Sequence, residues 1–112
     1  MSVSLKRHAR LESVTWQAAN GIDGQGKPTF VTPGTVLQAH VERNQEVVRL
    51  GTGEEVRIVA TLWFDAAQST TLPTSDDKLV LSDMTGIVVM RDQSGPLQSG
   101  EVDHVEVMVK QA

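Results

Sequence analysis

Residues 54–64 read Glu-Glu-Val-Arg-Ile-Val-Ala-Thr-Leu-Trp-Phe, and their side chains alternate in character from one position to the next. Successive side chains of a β-strand point to opposite faces of the sheet, so this period of two is typical of a strand. One face is wholly apolar and consists of Val56, Ile58, Ala60, Leu62 and Phe64. The other face is mostly polar but includes Trp63. The stretch therefore predicts a long strand whose apolar face is buried in the core of a β domain.

The same alternation recurs along the chain, whereas the period of amphipathic helices is nearly absent. Five further strands are predicted, over residues 11–17, 35–42, 78–82, 86–90 and 102–109. The continuous apolar run of residues 86–90 indicates a central strand buried on both faces. Residues 20–28 and 50–53 contain several glycines and are typical of turns. About six strands with no helical stretch between them predict an all-β fold, a small antiparallel β-barrel or sandwich with long loops.

A length of 112 residues corresponds to one domain. We expect a basic N-terminal tail or short helix over residues 1–10 and a single β-barrel domain over residues 11–112. The polar connection of residues 65–77 is long for a compact β domain, and loops of that length are usually functional or mobile. The alternation also predicts the core, which is made of Val14, Trp16, Leu37, Ala39, Val41, Val56, Ile58, Ala60, Leu62, Val80, Val88, Val105 and Val107.

The composition excludes several classes of protein. Because the chain has no cysteine, it has no disulfide scaffold, no thiolate nucleophile and no cysteine-built metal site. No apolar run approaches the ~20 residues that a membrane-spanning helix needs, so we expect no membrane association. A formal net charge of −4 makes the chain a poor general binder of nucleic acid, because such binding depends on neutralising phosphates.

Charge is distributed unevenly along the chain. Residues 76–112 carry seven acidic and three basic side chains, whereas residues 1–10 carry Lys6, Arg7 and Arg10 and no acidic side chain. A basic terminus beside an acidic domain is typical either of a tail that docks on an acidic surface or of a solvated, mobile terminus.

The histidines do not form a recognisable metal motif. His8, His40 and His104 lack the close spacing of zinc-binding sequences. If their strands paired, His40 and Glu42 would meet His104 and Glu106 in a cluster of two histidines and two glutamates. The alternative is ordinary cross-strand pairing of half-exposed side chains.

Catalytic motifs are also missing. The sequence has no nucleophile elbow and no phosphate-binding glycine loop that opens a helix. Asp76 and Asp77 are a candidate acid/base pair, but two adjacent acids at the end of a polar loop are more typical of solvated side chains. We therefore expect no enzyme and no cofactor. Trp63, on the polar face of its strand, is a candidate interface anchor, with core packing and base stacking as alternatives.

Several segments, taken in order, resemble one family. Residues 22–30 contain Asp23, Gly26, Pro28 and Phe30 and resemble the D-x-x-G-x-P-x-aromatic turn of small tailed-phage head-completion proteins. Residues 39–43, 53–55 and 60–63 resemble the central hairpin of that family, and residues 102–109 resemble its closing strand. The chain is thus similar, from about residue 11 to 109, to head-closure (stopper) proteins, also called head–tail connector proteins. Two departures stand out: the family usually has Gly-Asp where this chain has Asp76-Asp77, and the 65–77 connection is longer.

The resemblance implies a β-barrel subunit of a homo-oligomeric ring in the virion neck, made in the cytoplasm of a bacterial host. Its partners would be a portal-side adaptor and tail proteins, and packaged DNA would be retained without sequence-specific binding. The resemblance implies no catalysis and no cofactor. Alternatives are a tail terminator or another neck ring protein, or a small ligand-binding β-barrel for an oligosaccharide or oligonucleotide.

The resemblance also assigns roles to particular segments. In the family a loop after the second strand projects into the channel, and here that position falls on residues 44–53. Arg43, Glu46 and Arg49 would then contact the lumen or a neighbouring subunit; the alternative is a hairpin end with solvated charges. The 65–77 connection, with Asp76 and Asp77, is a second candidate contact. The basic side chains of the N-terminal segment, Lys6, Arg7 and Arg10, would pack onto the ring that lies above this one, on the portal side.

Overall fold

The structure is a computed structural model that describes residues 10–65, 68, 71–94 and 104–112. The predicted N-terminal tail, including Lys6 and Arg7, therefore lies outside the described residues, and only Arg10 of that segment is placed. The strands are β1 (Arg10–Gln17), β2 (Ala19–Ile22), β3 (Pro28–Phe30), β4 (Thr35–Arg49), β5 (Glu55–Asp65), β6 (Lys78–Val80), β7 (Thr85–Ser94) and β8 (His104–Gln111). In this described part, no helix is long and apolar enough to cross a membrane.

Six of the strands form a closed antiparallel barrel in the order β1-β4-β5-β8-β7-β6, and β6 returns to pair with β1. The all-β prediction is thus confirmed, and the architecture is a barrel and not a sandwich. β2 and β3 form a separate two-stranded sheet around residues 23–27, so the segment of residues 20–28 that was predicted as turns is a turn only at its centre. Closure gives every barrel strand two neighbours, but β6 is short and pairs with only three residues of β1 and three of β7, so the start of β1 pairs only with β4 among the described residues.

The barrel interior is filled by the apolar face of each strand. On β5 the side chains of Ile58, Ala60, Leu62 and Phe64 are fully buried, as their alternation predicts. Ten of the predicted core residues are buried, whereas Trp16, Val56 and Val80 are only partly buried. Leu79 and Leu81 take the inward positions that were expected for Val80, because three consecutive apolar residues do not reveal which face of a short strand points inward.

The prediction that residues 86–90 form a strand buried on both faces is wrong. Val88 is fully buried, but Met90 is 39% exposed, and the strand continues to Ser94. A barrel has one layer of strands, so one face of each strand contacts the core and the other faces outward. A bulge between Val88 and Met90 shifts the register with β8.

The β4–β5 hairpin is longer than expected. β4 continues to Arg49, so residues 44–49 are strand and the predicted loop of residues 44–53 shrinks to a turn around Gly53, whose φ is 92°. The predicted turn at residues 50–53 is confirmed, with the N–H of Leu50 bonded to the carbonyl of Glu54 at 2.8 Å. Beyond a bulge between Arg43 and Glu46, the two strands pair only with each other among the described residues. We call residues 44–57 the ribbon.

The strand directions define two ends of the barrel. The ribbon end carries the ribbon, the start of β1, the turn between β6 and β7, and Ala112. The opposite end carries the β2–β3 sheet, the start of β4 and the connection after β5. Although the sequence of that connection is mostly polar, its Leu72 and Pro73 side chains are buried.

Candidate interaction surfaces

Arg43 is bonded to two carboxylates at the ribbon end of the barrel. Its Nη2 donates to Oε1 of Glu12 at 2.9 Å and to Oδ1 of Asp83 at 2.8 Å, its Nε donates to Oδ2 of Asp83 at 2.9 Å, and its Nη1 donates to Oε2 of Glu12. The guanidinium therefore ties together β1, β4 and the β6–β7 turn. Planar arginine suits this task because it bonds two carboxylates bidentately.

These contacts shift the ionisation of all three groups. The hydrogen bonds from Arg43 lower the pKa of Glu12 and the pKa of Asp83. The same bonds raise the pKa of Arg43. The side chain predicted to contact the lumen or a neighbour is thus already bonded within its own subunit.

The ribbon beyond Arg43 is exposed and of mixed character. Arg49 pairs with Glu55 at 3.1 Å, but both side chains are mostly exposed, and such a pair contributes at most about 1 kcal/mol in water. Glu46 is exposed as well, and Val47 is 59% exposed. An isolated two-stranded ribbon is marginally stable in water. The ribbon is therefore an element whose packing within the subunit is incomplete.

Asp77 lies at the opposite end of the barrel and is only 3% exposed. Its Oδ2 accepts hydrogen bonds from Nε1 of Trp16 at 2.8 Å and from the N–H of Thr74 at 3.0 Å, and its Oδ1 accepts one from the N–H of Ala19 at 2.8 Å. The interpretation of Asp77 as a solvated acid is wrong, because a buried carboxylate is retained where donors surround it. Asp77 ties β1 and the entry to β2 to the segment before β6.

Its neighbour Asp76 is exposed and differs in backbone conformation. Its φ is 76°, the left-handed region that glycine adopts most readily. Its N–H donates to the carbonyl of Val88 at 2.8 Å, which fixes the turn against β7. Asp77 is thus buried and bonded to three donors, whereas Asp76 is exposed in a turn, so the two adjacent acids lie in different environments.

Trp63 lies on the outside of the barrel, as predicted, and is half-buried. The register places it directly opposite His40 on β4 and Glu106 on β8, and Glu106 in turn lies opposite Asp92 on β7. These residues form one row across four strands: His40, Trp63, Glu106 and Asp92. The next row of outward-facing positions contains Glu42, Thr61, Met108 and Met90. We call the two rows together the outer wall.

Glu106 is the half-buried acid of the outer wall. Burial raises its pKa, and the negative charges of Asp92 and Glu46 raise it further. A hydrogen bond from Trp63 to the carboxylate offsets part of this effect. Sequence patterning identified Trp63 as an interface candidate but named Glu106 only as a member of the suggested metal cluster, since the facing of Glu106 and Asp92 depends on which strands pair.

The suggested cluster of two histidines and two glutamates does not form. β5 lies between β4 and β8, so His40 and Glu42 are not direct neighbours of His104 and Glu106. In the part of the chain that the structure describes, no group of three or more potential ligands is close enough to hold a metal ion.

No protein-family model matches the chain, and no curated protein sequence matches it. Among solved structures, the fold is similar to that of the phage-like element PBSX protein xkdH from Bacillus subtilis. The TM-score is 0.53 at 12% sequence identity, and the match covers 92% of this chain and 95% of that one. At this identity the similarity shows a shared fold over nearly the whole length of both chains.

Proposed function

We propose that this chain is a structural protein of a tailed-phage or prophage particle: a head-completion subunit that forms a neck ring, closes the DNA-filled head and joins it to the tail. The observation that carries the proposal is the fold shared with a phage-like element protein over 92% of the chain. The ordered segments that resemble head-closure proteins cover the same length of sequence. The proposed location is the virion neck, after synthesis in the cytoplasm of the bacterial host.

The distribution of polar contacts supports assembly as the role of this subunit. The polar groups near the two ends of the barrel, around Arg43 and Asp77, bond within the subunit. The ribbon and the outer wall instead expose side chains such as Val47 and Met90. Surfaces of this kind suit contacts with other copies and with the adaptor or tail proteins on either side of a ring.

The charge of the chain is compatible with a DNA-retaining ring. A net charge of −4 gives a repulsive average interaction with phosphate, so packaged DNA would pass or stop without adhering. We propose no catalytic step and no cofactor for this role.

Deletion of the gene from the phage or prophage that encodes it tests the proposal. We expect tailless heads that have lost their DNA, seen by electron microscopy, and restoration by the wild-type gene in trans. Overlong or unfinished tails on filled heads would favour the alternative, a tail terminator. Filled heads with attached, infectious tails would refute both roles.

A ribbon variant makes the test specific to this subunit's surface. Val47→Asp places a charge on the exposed ribbon, and Val36→Asp makes the same change on an equally exposed part of β4 near the opposite end. We expect Val47→Asp to complement the deletion poorly while the purified protein stays folded. Equal complementation by both variants would show that the ribbon takes no part in assembly.

A further inference from the structure

The outer wall contains two acids that face each other, and within the described ranges neither forms an ion pair with a cation. Glu106 on β8 and Asp92 on β7 are direct cross-strand partners, and like charges in that arrangement destabilise a sheet. The other charged group that acts on Glu106 is a third acid, Glu46. His40 faces Trp63 one strand away, and Glu42 lies in the adjacent row, so the titratable groups of the wall are predominantly acidic.

The surroundings of these acids are apolar enough to be a docking surface. Met90 is 39% exposed, and Met108 and Trp63 are half-buried beside the acids. Near Thr61, Oδ1 of Asn44 is buried and has no donor in the described part of the chain. The wall thus has more hydrogen-bond acceptors than donors, and the methionine and tryptophan side chains lie beside them. Such a surface suits lysine or arginine, because their aliphatic stems pack on apolar groups while their cationic ends bond the acceptors.

The sequence itself contains a segment of that chemistry. Residues 1–10 carry Lys6, Arg7 and Arg10 and no acidic side chain. Arg10 is exposed at the start of β1, so the residues before it join the barrel at the ribbon end. The opposite charges of the two surfaces make them complementary.

We propose that the outer wall binds the basic N-terminal segment of a neighbouring copy, with Lys6 and Arg7 placed against Glu106 and Asp92. The inference rests on the proposed ring, because a contact between two different surfaces of one chain closes into a ring when the rotation between copies divides a full turn.

The segment on the wall could come from the same chain or from a neighbour, and both are within reach. Between Arg10 on β1 and Glu106 on β8 lie three strand spacings, about 14 Å around a curved surface. Lys6 is four residues before Arg10, a span of about 13 Å of extended backbone, and its side chain adds about 6 Å, so distance alone allows either source. The proposed ring favours the neighbour, because each copy then supplies its segment to the wall of the next, and the dilution series below tests that choice.

To test the proposal, the full-length protein is titrated with a synthetic peptide of residues 1–10, and binding is monitored through the indole N–H signals in two-dimensional NMR spectra. The chain has two tryptophans, and a Trp63→Phe variant assigns the signal of Trp63. We expect saturable shifts at the Trp63 signal at low salt and their loss at high salt. A peptide with Lys6→Glu and Arg7→Glu should not bind.

Matched variants locate the site. Glu106→Gln and Asp92→Asn remove charge with little change in shape, and together they should weaken peptide binding by about tenfold or more. Gln25→Glu, in the exposed turn between β2 and β3, changes charge away from the wall and should leave the affinity unchanged. Peptide binding that ignores the wall substitutions, or no binding at low salt, would overturn the proposal.

A dilution series separates the two sources of the segment. A Trp63 signal that differs between wild type and the full-length Lys6→Glu, Arg7→Glu variant at every concentration would place the chain's own segment on the wall and overturn the proposal. A difference that appears only as concentration rises supports the neighbour. These measurements use the purified protein and no virion. Their outcome is therefore independent of the gene-deletion phenotype, which tests the proposed neck function.

Discussion

Replacing Asp77 with alanine should remove much of the stability of the barrel. The substitution leaves three donors without their acceptor: Nε1 of Trp16 and the N–H groups of Ala19 and Thr74. A hydrogen bond to a charged group contributes about 1.5–3 kcal/mol net. Trp16 is only half-buried, and Ala19 and Thr74 are exposed, so water replaces part of each lost bond. With about 1 kcal/mol left for each donor, we expect a loss of about 3 kcal/mol.

Urea denaturation followed by circular dichroism measures this loss. Asp77→Asn keeps one acceptor oxygen but turns an NH₂ group toward a donor, so we expect it to lose about half as much as alanine. Asp76→Asn is the matched control, because it makes the same change at the exposed neighbour, and it should alter stability by less than about 0.5 kcal/mol. A double-mutant cycle of Trp16→Phe with Asp77→Asn should give a coupling energy of at least about 0.5 kcal/mol.

Either of two results would contradict this role of Asp77. A loss below about 1 kcal/mol for Asp77→Ala would mean that the hydrogen bonds of the buried carboxylate barely exceed the cost of removing it from water. A coupling energy of zero with Trp16 would mean that the 2.8 Å contact does not stabilise the folded protein. The first result would leave the closure of this end of the barrel to the apolar side chains around Leu72.

Four further measurements test other parts of the structure. Gly86→Ala should lose about 1–3 kcal/mol in urea denaturation, because the new Cβ would lie 2.7 Å from a valine methyl of β8, whereas Gly24→Ala, with nothing within 4 Å, should change stability by less than about 1 kcal/mol. Asp76→Gly should match or exceed wild-type stability and Asp76→Val should lose about 1–2 kcal/mol, since a branched residue resists a φ of 76°. The pKa of Glu106 is raised in the folded state, so the charged carboxylate destabilises the folded protein at pH values above that pKa. Below the pKa of the unfolded state the group is protonated in both states and this destabilisation is absent. Glu106→Gln should therefore raise Tm at pH 7 and have no such effect near pH 3. Arg43→Lys should lower Tm at pH 7, and the gap to wild type should narrow as the pH falls through the lowered pKa values of its two carboxylate partners; a gap independent of pH would contradict the ion-pair assignment.

The parts of the fold that follow from alternation were predictable from the sequence. The apolar positions of β5, from Ile58 to Phe64, are buried because each strand of a small barrel has one inner and one outer face. The same rule placed Trp63 outside. It failed at Val80, where a run of apolar residues hides the period, and at residues 86–90, where the run suggested a buried sheet that a single-layered barrel does not contain.

The polar ties were not predictable because they join residues far apart in the chain. Nothing local to Asp77 indicates that Trp16, 61 positions away, donates to it. Likewise Arg43 lies 31 positions from Glu12 and 40 from Asp83. The sequence suggested adjacent acids and isolated charges, and strand order decided which of them are buried, bonded or exposed.

The closed barrel restricts how this protein can associate with others. Every barrel strand has a neighbour on each side, so strand addition by another copy is restricted to short segments such as the start of β1 and to the ribbon. The larger surfaces for association are side-chain surfaces and the ribbon, whose pairing within the described chain is confined to its own two strands. Because Arg43 and Asp77 already bond internally, substitutions there should act chiefly on stability. Substitutions at Val47 or in the outer wall at Glu106 should act on assembly and leave the fold intact, and that separation of effects is what an assembly subunit requires.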